Sequence, residues 1–431
     1  MPSVIGRPQQ PEPFLRGVLH PASIGVAYPR IDPARAQHVA GDTWAAAQVP
    51  VGVRVELSGD VSAIRVEYVT STADLGYRGE GAGRTFAAYR GATKVAEQPA
   101  VLGEGVVELE LPGDPEQPAT VYLPEGMCPV VLAVTGIGGT IVPAPSQPRL
   151  LAYGDAVTQG WLASSPAMAW PAVVGRKLGL DVCNLGFAGS SYRAGVPAAC
   201  MLAGTPADAV SFTVGSSVWD RGPSTPPLVA AEIRAVVGII RASKPDVPVV
   251  IVSPIVRAEA EATPNRCGAT LADLRRALEE AVSELVSAGD GSIYLVEGAK
   301  VLGEHDLADA EHPGDEGHKR LAAAVSKFLN PLRQGLRQSH LARRQEAVLA
   351  TSALRAVPPD LPGAPPRPVD AFLLPPPGVS GEQLRSVATT LAELQSVTAQ
   401  QAAAMSQLAE LQVLVAQLRH ADEGISPAPG A

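Results

Sequence analysis

Leu150-Leu151-Ala152-Tyr153-Gly154-Asp155-Ala156-Val157-Thr158-Gln159-Gly160 decides the fold. A short, largely apolar run enters a turn bracketed by two glycines, and an apolar, helix-like segment follows from about Trp170 to Leu178. A strand that breaks sharply into a helix is the opening unit of an α/β sheet, and ligands of such sheets sit at the carboxyl ends of the strands. The side chain this turn puts forward is the methyl group of Ala156. A position built for chemistry carries a residue that cannot perform it.

Working outward, apolar runs and helical patterns alternate after residue 147. The predicted strands are Leu150–Tyr153, Val182–Leu185, Ala209–Val214, Val247–Val252 and Ile293–Val296, with helices near 168–178, 227–243, 269–287 and 315–328. Leu271, Leu274, Leu278, Val282 and Leu285 recur three and four apart, a helical stripe. Strand–helix alternation gives right-handed crossovers and a parallel sheet. Five strands over residues 147–330 predict a flavodoxin-like, three-layer α/β domain.

Before that domain the period is two. Val51–Leu57, Val61–Val69, Val106–Leu111 and Thr120–Leu123 alternate apolar with polar, and Val130–Val134 is apolar throughout. These segments predict a β-sandwich or jelly roll over residues 16–146, with no helix among the strands. Residues 1–15, rich in Pro and Gln, are expected to be a disordered tail. After the α/β domain a helical extension is expected over 331–356. A linker follows at 357–380, with nine prolines between Val357 and Gly378. Leu384, Val387, Leu391, Leu394, Met405, Leu408, Leu411, Val415 and Leu418 then mark an amphipathic helix over 381–420, and 421–431 is read as a disordered end. With no globular partner in sequence to cover that stripe, self-association of residues 384–418 as a coiled coil competes with folding back onto the same chain.

Bulk properties exclude several classes. The 431 residues carry a net charge of −9 and no block of Lys or Arg, so nucleic acid is a poor partner. Four cysteines (Cys128, Cys183, Cys200, Cys267) show no CxxC spacing, which argues against a metal site and against a disulfide framework. No run approaches the ~18 apolar residues of a membrane helix, and the Pro-rich start does not read as a secretory signal. Together these lead to the expectation of a cytoplasmic protein without cofactor.

Chemistry should gather where the strands end. Gly154-Asp155-Ala156-Val157-Thr158 follows the first strand and Asn184-Leu185-Gly186-Phe187-Ala188-Gly189-Ser190 the second. Gly215-Ser216-Ser217-Val218-Trp219-Asp220 follows the third, and Asp309-Ala310-Glu311-His312-Pro313 precedes the last helix. In this order and spacing the four blocks resemble the SGNH/GDSL hydrolase family, an esterase and acylhydrolase family. The sandwich before them is similar in layout to carbohydrate esterases with an N-terminal jelly roll.

The resemblance implies a serine nucleophile at Ala156 and an Asp309–His312 pair that orients and supplies the general base. It implies an oxyanion held by the Gly189 N–H and by an asparagine where Ser217 stands. Asp155 and Trp219 are candidate substrate-binding residues, Asp155 chiefly through hydrogen bonds that hold the turn. The implied ligand is a small-molecule or carbohydrate ester. Two of the implied positions are substituted. Loss of a serine nucleophile has cost about 10⁶-fold in kcat in a serine protease, and loss of one oxyanion donor about 10²–10³-fold. The sequence therefore predicts serine-esterase turnover that is lost or strongly reduced. Ala156 is either an engineered change or part of a natural loss, and the second departure at Ser217 favours loss. A ligand-binding or scaffold protein is the non-enzymatic alternative. Of the nearby hydroxyls, Thr158, Ser190, Ser191, Ser216 and Ser217, none occupies the nucleophile position. His20, His305 and His318 lack acidic company at the family spacing and are read as structural or solvated.

Overall fold

A computed structural model of the chain describes residues 5–23, 25–75, 83–189, 196–221 and 224–356. The linker, the amphipathic helix over 381–420, the end at 421–431 and the two serines Ser190 and Ser191 all lie outside the described residues.

The α/β part holds five parallel strands: β1 (Arg149–Gly154), β2 (Asp181–Gly186), β3 (Ala209–Thr213), β4 (Val249–Val252) and β5 (Ile293–Val296). Their spatial order is β2-β1-β3-β4-β5, the flavodoxin-like arrangement. Every residue of β2, β3 and β4 is buried, as expected of strands covered on both faces. On one face, helices Pro226–Ser243 and Leu271–Ser287 bury Ile233, Val236, Ile240, Leu274 and Leu278 against Leu151, Phe212 and Ile251. On the other, Trp170–Leu178 and Asp315–Leu329 pack Trp170, Val174, Leu321 and Val325 on Leu150, Val250 and Val252.

Local chemistry sets the helix ends. Thr270 accepts from the Asp273 N–H at 3.1 Å while the Asp273 carboxylate accepts from the Thr270 N–H at 3.1 Å, a reciprocal cap. Cys183 sits in the sheet core, where burial pushes its thiol up to about 12, so it behaves as a small hydrophobe. All four cysteines are free thiols.

The N-terminal part is a sandwich of antiparallel sheets. Strand Ala63–Thr70 lies between Gly103–Glu110 and Pro129–Ile137. Facing it, Arg54–Gly59 pairs with Ala119–Tyr122, which pairs with Thr85–Arg90 and then Thr93–Pro99. Ile64, Val66, Tyr68 and Leu109 from one sheet meet Val55, Leu57, Phe86 and Val121 from the other.

Two expectations fail here. Helix Gly41–Ala47 and the 3₁₀ turn Pro33–His38 interrupt a region expected to hold strands alone. Alanines 45–47 carry the helical preference, but the segment is too short to show a period in sequence. Residues 5–15 are not a disordered tail. Ile5 and Gln9 bridge Ile137 and Val134, and Phe14 is buried in the sandwich. A Pro-rich segment without internal pairing can still be held by an existing strand edge.

The two parts meet along β2, which pairs only with β1 among the described residues. Carbonyls of alternate residues project from that outer edge, and two buried arginines of the N-terminal part take them. Arg54 donates to the Val182 carbonyl at 3.0 Å, and Arg30 donates to the Asn184 carbonyl at 3.2 Å and to that of Gly186. Arg54 is further paired with Glu56 at 2.6 Å and Asp181 at 3.1 Å. Arg30 also bonds the Ala46 and Val49 carbonyls at 2.6 and 2.9 Å and lies over the Phe187 ring at 4.7 Å.

Among the described residues no helix is long and apolar enough to cross a membrane. Replacing Arg30 with Met keeps the stem but removes the side-chain donor to four carbonyls, of which those of Ala46 and Val49 keep backbone N–H donors while those of Asn184 and Gly186 lose Arg30. Each buried acceptor left unsatisfied costs ~1–3 kcal/mol, partly relieved by water, so we expect a net loss of about 3 kcal/mol. At ~2–4 °C per kcal/mol for a domain of this size, thermal unfolding should show a fall in Tm of roughly 6–12 °C. A shift within 1 or 2 °C, on the order of what a neutral surface change gives, would mean that the edge does not depend on this side chain.

Candidate active site

Three loops at the carboxyl ends of β1, β2 and β3 are pressed together by glycines. Asp155 is the N-cap of the single helical turn Ala156–Gln159, with its carboxylate accepting from the Val157 N–H at 3.0 Å. That carboxylate turns inward against the main chain of Gly215, where any Cβ would collide with it. A Cβ on Gly186 would collide with the backbone of Gln159. The Phe187 N–H donates to the Gly154 carbonyl at 3.0 Å, and Ala188 N–H donates to Oε1 of Gln159 at 2.8 Å. Asn184 spans the same gap, donating from Nδ2 to the Thr158 carbonyl at 2.9 Å and accepting from the Gly186 N–H at 2.8 Å.

Ala156 is the first residue of this turn and is partly exposed. Gly189 has φ +70°, with nothing within 4 Å of where a Cβ would stand. Its glycine is required by the left-handed backbone rather than by crowding. Ser217 opens the short helix Ser217–Asp220 and is half-buried.

The fourth loop supplies a paired aspartate and histidine. Asp309 accepts at 2.9 Å from Nδ1 of His312, and its other oxygen accepts from the backbone N–H groups of His312 and Glu311 at 2.6 and 2.7 Å. An ionised carboxylate only accepts, so this contact places the proton on Nδ1 and leaves Nε2 as the basic nitrogen. Burial works to raise the Asp309 carboxyl, but the bonds from the His312 ring and from the two backbone N–H groups outweigh it and hold it below the ordinary range. His312 lies beside the first loop, with its ring 6.0 Å from that of Trp161. It also lies close enough to Asp155 to act downward on that carboxyl, against the larger effect of burial.

Glu311, which the sequence reading passed over, ties this loop to the third. Its carboxylate accepts from Ser216 Oγ at 2.8 Å and pairs with Arg257 at 3.3 Å, and Arg257 also pairs with Asp220 at 3.0 Å. Arg257 stacks over Trp219 at 5.3 Å, and the Trp219 indole N–H donates to the Thr263 carbonyl at 2.8 Å. Trp219 is thus held in a rim network beside the site. Glu311 and Gln159 lie within the strand-end loops that the sequence marks, whereas Arg30 and Arg257 carry no local signal.

Thr158 is fully buried and Ser216 is engaged with Glu311. His318 is buried, with Nδ1 accepting from the Trp170 N–H at 3.3 Å and Nε2 facing the Trp161 carbonyl at 3.4 Å, a structural role. Among the described residues no group of three or more His, Cys, Asp or Glu side chains is placed to hold a metal ion.

Residues 147–330 match the model of the GDSL-like lipase/acylhydrolase family. No curated protein sequence matches the chain. Solved structures share the fold. A salicylyl-acyltransferase from a tetracycline biosynthetic pathway is similar over 77% of this chain and 94% of its own, with TM-score 0.60 and 21% identity. A chain from Bacteroides ovatus described as a GDSL-like lipase covers 76% and 98%, with TM-score 0.60 and 20% identity. A family two carbohydrate esterase from Cellvibrio japonicus covers 77% and 99%, with TM-score 0.50 and 13% identity. Likeness at these identities establishes the two-part fold.

The two site carboxylates should respond to pH in opposite directions. Burial pushes the Asp155 carboxyl above its ordinary value, the Val157 N–H and His312 offsetting part of this and Glu311 adding to it. A raised carboxyl favours the folded state while protonated and loses that support as pH rises through its folded value. At neutral pH the ionised group therefore costs stability. Asp155→Asn, which keeps an N-cap side chain, should raise Tm at pH 7, the gain disappearing below about pH 4. Asp309 is lowered, so its contribution is present above about pH 4 and is lost on acidification. Asp309→Asn should lower Tm at pH 7 and converge with the parent in acid. Melting curves from about pH 3 to about pH 8, which bracket the ordinary carboxylate value of about 4, check both signs.

Proposed function

We propose, on the premise that residues 147–330 are a GDSL-like lipase/acylhydrolase domain, that this chain binds an acyl or acetyl ester without the covalent serine route. The observation that carries this reading is the Asp309–His312 pair, hydrogen-bonded at 2.9 Å, in a site whose helical turn begins with the methyl group of Ala156. His312 in this arrangement has a base's geometry and no hydroxyl at position 156 to deprotonate. Ser217 reaches less far than the amide that the family pattern has there. Serine-esterase turnover is accordingly absent or very weak, and the site serves binding. The ligand class is an ester of a small alcohol or carbohydrate, in keeping with the carbohydrate-esterase activity named for one chain of the same fold. Binding joined to assembly through residues 384–418 makes the chain a scaffold, and the interior of the cell is where we place it.

Two experiments test the reading. Ala156→Ser with Ser217→Asn should restore hydrolysis of short aryl esters by at least ~10³-fold over the parent, and Ala156→Ser alone should fall ~10²–10³-fold short of the double variant. Parent turnover equal to that of the double variant would remove the claim of lost activity. Light scattering of the full chain should give a multiple of the 44.4 kDa protomer mass, and removal of residues 379–431 should reduce it to one protomer. An unchanged mass after truncation would end the assembly reading.

A further inference from the structure

At the amino end of the parallel sheet, away from Ala156, three side chains line up. Ser146 Oγ lies 2.9 Å from Nε2 of His340, and Nδ1 of His340 lies 3.3 Å from Oδ2 of Asp208. Ser146 stands in the Pro145-Ser146-Gln147-Pro148 link that leads into β1. Asp208 immediately precedes β3, and His340 lies on helix Arg333–Ala356, which follows the α/β part. The length of β1, roughly 20 Å at about 3.3 Å per residue, separates this cluster from the turn that holds Ala156.

Each member is placed by its own constraint. Arg333, Leu336, Arg337, His340 and Arg343 recur three and four apart and so share one face of the helix. Leu336 is buried on that face, and Arg343 pairs with the Asp208 carboxylate. Asp208 is itself buried, and its Oδ2 also accepts from the Arg149 N–H at 2.7 Å. The His340 side chain is 15% exposed, and Ser146 is exposed. Prolines on both sides of Ser146-Gln147 limit the freedom of the link, which keeps the hydroxyl within reach of the ring.

Paired with a guanidinium, the Asp208 carboxylate only accepts, so its contact with His340 puts the ring proton on Nδ1. Nε2 is then the acceptor for the Ser146 O–H. A hydroxyl bonded to an imidazole that a buried carboxylate orients is the arrangement of an activated nucleophile, recognised by geometry and not by place in the chain. Positive charge is close by. A Cβ on Gly179 would stand 3.2 Å from Nη2 of Arg337, 3.6 Å from Nη2 of Arg333 and 3.6 Å from Oε1 of Gln147, so two guanidiniums gather beside the residue that follows Ser146. Neither arginine has an ion-pair partner among the described residues, and Arg333 Nε is buried without a hydrogen bond. A cavity of about 180 Å³, with Ala144, Gln147 and Gly179 in its wall, opens next to them.

We propose that Ser146, His340 and Asp208 form a second nucleophilic centre, which takes a small acyl group from an activated ester. The bond from Ser146 Oγ to the acyl carbon forms as the hydroxyl proton passes to His340 Nε2. Asp208 positions the ring, and Arg337 and Arg333 offset the charge of the oxyanion. The ester C–O bond then breaks and the proton leaves on the alcohol. Water, deprotonated by the same imidazole, attacks the acyl-serine and releases the acid. Ser146 is exposed, and an oxyanion in contact with water gains far less from its neighbours than one in an enclosed site, so the reaction is slow.

The test treats the full chain with excess fluorophosphonate, whose P–F bond a nucleophilic serine displaces with loss of HF, and locates the adduct by peptide mass. Ser146 should be labelled, and Ser339, an exposed serine on the same helix, should not. An acetyl group from 4-nitrophenyl acetate should appear on the same Ser146 peptide. In chains that melting curves show to be folded, His340→Gln should slow labelling by at least ~10²-fold, the usual contribution of a general base. Arg337→Gln, an exposed change, should slow it at least about tenfold. Labelling of Ser146 no faster than that of Ser339 overturns the proposal. So does labelling indifferent to His340→Gln, since the contact would then only dock the helix, and an unmoved rate in Arg337→Gln removes the guanidiniums from the step. Because the adduct is located by mass, failure at Ser146 leaves the reading of the Ala156 site untouched.

Discussion

An edge strand leaves a row of backbone groups unpaired, and β2 is the edge of the parallel sheet. The carbonyls of Val182, Asn184 and Gly186 form that row, and Arg54 and Arg30 satisfy it with side chains rather than with another strand. Much else depends on this arrangement. It joins the sandwich to the α/β part, and it fixes the end of β2, from which Phe187 and Gly189 continue toward the site. Charge-assisted bonds of this kind contribute ~1.5–3 kcal/mol each, and buried guanidiniums without such partners would be strongly destabilising. The two arginines and the edge therefore require each other.

At the other end of the strands the dominant constraint is crowding. Gly186 and Gly215 lie where neighbouring loops touch, so the turn holding Ala156 has little freedom to shift. A side chain at 156 is presented in a fixed place whatever it is. The base is equally fixed, since Asp309 holds the His312 ring and Glu311 anchors the same loop to Ser216 and Arg257. That geometry stands with a methyl group at position 156, because none of these contacts passes through the Ala156 side chain.

Much of this was legible in the sequence for physical reasons. Parallel strands buried on both faces read as continuous apolar runs, and Leu271 to Leu285 display their helical period without interruption. The four blocks were visible because loop residues at strand ends keep their order along the chain. What escaped was whatever acts at long range. Arg30 is 154 and 156 residues from the carbonyls it serves, and nothing near it in sequence marks it as buried. Arg257 reaches Asp220 and Glu311 from a loop with no pattern of its own. Residues 5–15 looked structureless because their partners, Val134 and Ile137, lie more than a hundred positions away.

Because the arginines bond main-chain oxygens, the joint between the two parts reads one side chain of β2, the Asp181 carboxylate that pairs with Arg54, and is otherwise carried by the backbone. Drift at Val182, Asn184 or Leu185 that preserves the strand leaves the same carbonyls facing the same guanidiniums. The cost falls wholly on the other partner, where position 30 or 54 admits no neutral replacement of equal reach. Apart from Asp181, such a contact does not distinguish one parallel-sheet edge from another. A sandwich carrying two arginines at this spacing has the means to dock on a sheet edge of the same pitch that offers a carboxylate where Asp181 stands, and the pairing of these two modules is then specified by geometry and one acidic residue.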